Sequence, residues 1–180
     1  MIDKSEFNEL PCSTGIDYSK TEGKQILPFA IALDLQNSVL EPAEGENQKF
    51  TYIITGKGEI DPVYIDLDHI IFGISQDIAA EDITAAAVTV DGAEQEIIYN
   101  EEDGNVLLLR DGEYNSAEDA EGLKFDFGLD RTGGVMTVSF ELANTYPLGH
   151  TEVFLFGRDI SASGLTICGP ASEYAEEELS

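Results

Sequence analysis

From Leu27 onward the chain alternates apolar and polar positions. Leu27, Phe29, Ile31, Leu33 and Leu35 share one parity, the period-two signature of a strand with one buried face. Pro28 places the start of this run on an edge or ahead of regular pairing. A turn at 41–45 separates it from a second strand at 50–56, rich in β-branched and aromatic residues. Asp61 and Pro62 open a third, at 64–73. The stretch 78–87 is alanine-rich with acids near its start, and Asp77 or the Glu81–Asp82 pair suits a helix N-terminus, so one or two helical turns are expected there. The segment 88–110 reads as a meander: strand, tight turn at Asp91–Gly92, strand at 96–99, turn at 102–105, strand at 106–110. Beyond an acidic loop, Leu123, Phe125, Phe127 and Leu129 alternate cleanly. Gly133 and Gly134 turn the chain into 135–142, the turn at 147–150 leads into 152–157, and 165–170 reads as a last short strand.

Such spacing, with about nine strands and no strand–helix alternation, predicts an all-β fold: an antiparallel β-sandwich, immunoglobulin-like or jelly-roll-like. Residues 1–23 are polar, hold Pro11, Gly15 and Gly23, and read as an N-terminal arm with little core of its own. The sandwich is expected over 24–170 and an acidic tail over 171–180. A chain of 180 residues suits one such domain and buries enough apolar surface to need no staple.

Charge changes the picture of partners. Against 9 Lys and Arg stand 36 Asp and Glu, for a net charge of −27. Nucleic acid and anionic membranes are bound through basic patches, so neither is an expected partner. No apolar run is long enough to span a bilayer as a helix, so no membrane insertion is expected. Self-repulsion would be relieved by salt, divalent cations or a cationic partner. The opening residues lack the basic-then-apolar order of a secretory signal. Export is therefore expected after signal removal, or by another route such as release from a lysing mother cell onto a spore.

Candidate chemistry is sparse. The only histidines are His69 and His150, and no Gly-x-Ser-x-Gly elbow occurs. His69 is expected to be a strand histidine bonded to Asp66, Asp68 or backbone, and His150 an exposed turn residue; no enzyme is expected. Without tryptophan the chain lacks the usual ring platforms for sugars. Oxygen ligands recur at Asp111, Glu113, Asn115 and Asp119, a candidate Ca²⁺ loop without the glycine or the closing glutamate of an EF-hand. A solvated acidic loop is the simpler reading of it. Two cysteines, Cys12 and Cys168, are too few for a structural zinc site. They leave three options open: one disulfide joining the arm to the last strand, a link between subunits, or free thiols.

The stretch from Gly122 to Leu142, and the strand 150–157 followed by a terminal G-L-x-I-C-G-P at 164–170, resemble uncharacterised surface or spore-associated β-domains of Gram-positive bacteria. The likeness covers the C-terminal third and extends loosely to 64–73. This chain has fewer cysteines and far more acid than that family. The resemblance implies an exported, surface-exposed setting and carries no catalytic residues. Sandwich, arm and terminal cysteines together lead to the expectation of an extracellular, cell-surface or spore-surface structural protein. It would be a subunit of a surface layer, appendage or spore coat, self-associating through its arm by strand addition or an intersubunit disulfide. The alternative expectation is a calcium-dependent adhesion or carbohydrate-binding module.

Overall fold

Where side chains of one parity are apolar, the chain can satisfy its backbone in a sheet and bury one face, and most of these segments do so. The computed structural model describes residues 12–20, 27–58, 65–101, 103–109, 121–157 and 160–172. In chain order the strands are β1 (Gly15–Asp17), β2 (Phe29–Leu33), β3 (Gln48–Gly56), β4 (His69–Gly73), β5 (Ile83–Val90), β6 (Ala93–Glu94), β7 (Val106–Leu109), β8 (Gly122–Phe125), β9 (Val135–Leu142), β10 (Leu148–Phe156), β11 (Ser161–Ala162) and β12 (Thr166–Pro170). They form two antiparallel sheets. Sheet one runs β1-β2-β3-β9-β5-β6; sheet two runs β11-β10-β4-β8-β7, with β12 also paired to β10. The all-β sandwich read from the sequence is therefore the fold. Among the described residues no helix is long and apolar enough to cross a membrane.

The core lies between the sheets and is centred on rings. Phe50 and Tyr52 of β3 and Phe140 of β9 face Phe72 of β4 and Phe125 of β8, all essentially inaccessible to solvent. Tyr52 stacks on Phe72 across the sandwich at 4.5 Å between centroids, and Phe50 stacks on Phe140 at 5.6 Å. Phe125 meets Phe72 edge-on at 85°, so the rings interlock rather than merely touch. Ile54, Val138, Leu123, Val153 and Leu155 fill the space around them.

Two expectations are corrected. The alanine-rich stretch holds a single 3-10 turn, Ala80–Asp82, and then extends as β5. Pairing with β9 over nearly the whole of β5 outweighs the helical preference of alanine, and Val88 and Ala86 pack toward the core. The meander also fails after its first turn. Asp91 and Gly92 both adopt positive φ, as a two-residue hairpin turn requires, but β6 pairs only through Ala93 and Glu94. The segment 96–98 then turns to the side chain of Asn105, which accepts from Ile98 N–H at 2.9 Å and donates to the Glu96 carbonyl at 2.7 Å. With its hydrogen bonds met there, the chain crosses over and β7 joins sheet two. Residues 12–20 pack on the chain's own sandwich: β1 pairs with β2, and Cys12 and Tyr18 are buried.

Removing one ring from the cluster leaves a cavity that close-packed neighbours fill only in part. Phe140→Ala is expected to cost about 3–5 kcal/mol, whereas Val135→Ala, at a position 41% exposed on the same strand, should stay within about 0.5 kcal/mol. Urea unfolding followed by circular dichroism measures both.

Candidate functional site

Polar side chains gather at three places. The first is the side of the sandwich where β1 meets β12. Cys12 and Cys168 form a disulfide with their Cα atoms 5.1 Å apart, closing a sequence separation of 156 residues. Of the three options left open by the sequence, the structure takes the bond within the chain. Beside it Cys168 N–H donates to the Ser13 carbonyl, and Leu33 N–H donates to the Thr14 carbonyl, so the same three-residue stretch is tied to both sheets. The buried Tyr18 hydroxyl donates to the Val153 carbonyl at 2.6 Å and accepts from Leu165 N–H at 2.9 Å. From the middle of sheet one, the Tyr52 hydroxyl donates to the Cys168 carbonyl at 2.7 Å. The approach is close because residue 169 is glycine: a Cβ there would stand 2.4 Å from Thr151 Oγ1 and 2.9 Å from the Tyr52 hydroxyl. Burial pushes the Tyr18 phenol up to about 12, with the Leu165 N–H opposing and the Glu152 charge adding to the rise. Burial alone raises Tyr52.

The second place is the loop end around Asp82. Tyr146 donates its hydroxyl to Asp82 Oδ2 at 2.6 Å, Asn144 donates to Oδ1 at 2.8 Å, and Ala79 N–H reaches Oδ2 at 3.2 Å. These bonds, the tyrosine's first, hold the Asp82 carboxyl below its usual range. Burial, and then the bond to Asp82, push Tyr146 up to about 12. Gln48 completes the fastening: its amide donates to the carbonyls of Leu40 and Tyr146 and accepts from Tyr146 N–H. The cluster joins the loop before β5 to the turn before β10.

The third place is the outer face of sheet two. His69 opens β4 and stands opposite Phe156 of β10. Its ring lies on that of Phe156 at 4.5 Å and 13°, and the residue is only 6% exposed. Nδ1 lies 2.8 Å from Asp68 Oδ2, so the sequence expectation of an aspartate partner is met by Asp68. Asp66 serves Arg131 instead, with Oδ1 3.0 Å from the guanidinium. On the other flank β8 pairs with β4 through Ile70 and Phe125, and Asp126, one residue on, falls beside His69. One ligand-capable atom from each of Asp68, His69 and Asp126 lies within 4.8 Å of the other two. Both acids sit on fastened backbone: Asp68 N–H donates to the Phe156 carbonyl at 2.7 Å, and Asp126 N–H to the Asn105 carbonyl at 2.8 Å.

Nothing in the sequence marks Asp126 as a partner of His69. Alternation with Phe125 and Phe127 puts it on the outer face, but which strand lies alongside is a matter of topology. His150, the other histidine, is exposed on β10 and lines an open groove of about 490 Å³ with Ser75, Gln76, Glu121, Glu152 and Ser172. The loop acids Asp111, Glu113, Asn115 and Asp119 lie outside the described residues.

Two outcomes follow from the clasp at β1 and β12. Tyr18→Phe leaves the Val153 carbonyl and Leu165 N–H without that hydroxyl, at an expected cost of about 1–3 kcal/mol by denaturant titration. The pH dependence has a definite sign. A phenol that ionises near 10 when unfolded but only about 12 when folded stabilises the fold fully below pH 10. That contribution is lost as pH rises through the interval between those values. Stability should therefore be flat in this respect up to about pH 10 and fall above it. In Tyr18→Phe the fall should be shallower, and ultraviolet titration should show one fewer late-ionising tyrosine.

No family model matches this chain, and no curated protein matches it.

Proposed function

We propose that this chain is a non-enzymatic structural domain working outside the cytoplasm, as a self-associating subunit of a surface layer, appendage or coat. The observation that carries the reading is the Cys12–Cys168 disulfide, set among buried polar fastenings. Such bonds persist in oxidising compartments and are rare in reducing ones. In the chain-entropy view, closing a loop of this size stabilises the fold by about 2–5 kcal/mol. The polar clusters support the structural half of the reading. Tyr18, Tyr52, Gln48, Asp82 and Tyr146 spend their hydrogen bonds on backbone and on one another, across β1, β12, β10 and the loops.

Self-association then belongs at an edge. With residues 12–20 laid into the chain's own sandwich and both cysteines bonded to each other, strand addition finds its place at β5. There β6 covers only Thr89 and Val90, and Gln95 N–H reaches the Val88 carbonyl. Asp91 N–H bonds Val135, so by alternation along the regular part of the ladder the backbones of Val88 and Ala86 face away from β9. Thr84, Ala85 and Ala87 are exposed and carry small neutral side chains, none of the charges or prolines that usually blunt an edge. A second acidic chain can approach most closely where no charge stands in the way.

The test uses the oxidised full chain. Intact mass before and after reductant and alkylation should show the bond, and reduction should lower the urea midpoint. Sedimentation at rising concentration and salt, with electron microscopy, should show assemblies, and Ala86→Pro should abolish them while preserving the circular dichroism spectrum. A protein that stays monomeric at high salt and concentration would refute the assembling role. Cysteines reduced in freshly isolated protein would refute the oxidising setting.

A further inference from the structure

We propose that Asp68, His69 and Asp126 form a binding site for one divalent transition-metal ion of the zinc type, on the outer face of sheet two. The three side chains offer one imidazole nitrogen and two carboxylates, with ligand atoms within 4.8 Å of one another. That donor set suits borderline ions, whereas calcium takes six to eight oxygens and gains little from a ring nitrogen. A zinc-type ion bonds such donors at about 2.0–2.2 Å, so the carboxylates need only small rotations to close on it. Both carboxylates are exposed, while the histidine is not.

The fixed histidine sets this cluster apart from the chain's many acidic surfaces. His69 is 6% exposed and its ring is held flat against Phe156, so its orientation costs nothing further on binding. Its Nδ1 is aimed at the Asp68 carboxylate at 2.8 Å. Asp68 precedes His69 in the chain and Asp126 follows the neighbouring β8, each anchored through its own N–H to a neighbouring strand or turn. Three protein donors leave room for water in the remaining positions, the arrangement of an open site rather than a closed structural one. The net charge of −27 raises the local concentration of any cation, so occupancy here must be distinguished from diffuse attraction.

Titration of the oxidised full chain with Zn²⁺, followed by calorimetry and by nitrogen NMR of the imidazoles, makes that distinction. The expected result is one saturable site whose filling shifts the His69 nitrogens and leaves those of His150 in place. Asp126→Asn and Asp68→Asn, both at exposed positions, should each weaken it by about tenfold or more. Glu44→Gln, which removes an exposed acid elsewhere, should leave it unchanged, and excess Ca²⁺ should not displace the zinc. Uptake that does not saturate, that falls equally in Glu44→Gln, or that leaves the His69 signals unmoved would overturn the proposal. In that event the three side chains would be a hydrogen-bonded cluster only.

Discussion

Each bonding group of Cys168 is spent on a different part of the sandwich. Its sulfur is bonded to Cys12, its N–H to Ser13, and its carbonyl to the hydroxyl of Tyr52 from the centre of the opposite sheet. Its side chain and backbone are fully buried, where an unmet polar group is costly. The partners must therefore hold their places together. Tyr52 is fixed in turn by stacking on Phe72, which joins the polar fastening to the aromatic core. Gly169 must lack a side chain for the strands to come so near. Order at the edge and packing in the middle are one constraint.

Much of the rest is an answer to charge. With four times as many acids as basic residues, most carboxylates have no cation to meet, and several of the described ones rely on neutral donors. Asp82 takes hydrogen bonds from Tyr146, Asn144 and Ala79; Asp34 takes them from Gln36 and Asn37; Asp91 caps Val135 N–H. These bonds retain their strength in salt better than exposed ion pairs do. The ion pair of Asp66 with Arg131 and the pairing of Asp68 with His69 stand close together near the start of β4.

The strands with clean alternation were legible. Phe29, Ile31 and Leu33, then Leu123 and Phe125, then Val153 and Leu155 all face the core as their parity required, and Asp91–Gly92 made the turn its residues demand. The alanine-rich stretch was not, because alanine is at home in a helix and its place in β5 comes from β9 alongside. Nor was the fate of 96–99, whose β-branched residues suit a strand, because one side chain, Asn105, satisfies that backbone instead. The site was legible by halves. An aspartate partner for His69 could be expected from its neighbours in the sequence, but Asp126 lies 57 positions away and meets it only because β8 pairs with β4.

By itself, then, the sequence determined what local chemistry can determine: the class of fold, through period-two burial; the turns, through glycine and aspartate; and the net charge. Tertiary structure decided which segments became neighbours. It chose the disulfide over the other fates of two cysteines, set Gly15–Asp17 into sheet one, sent β7 to sheet two, and brought two aspartates to one histidine. The reason is physical. A strand's alternation states which face is buried but carries no label for its partner, and partners are selected by the summed packing and hydrogen bonding of the whole sandwich.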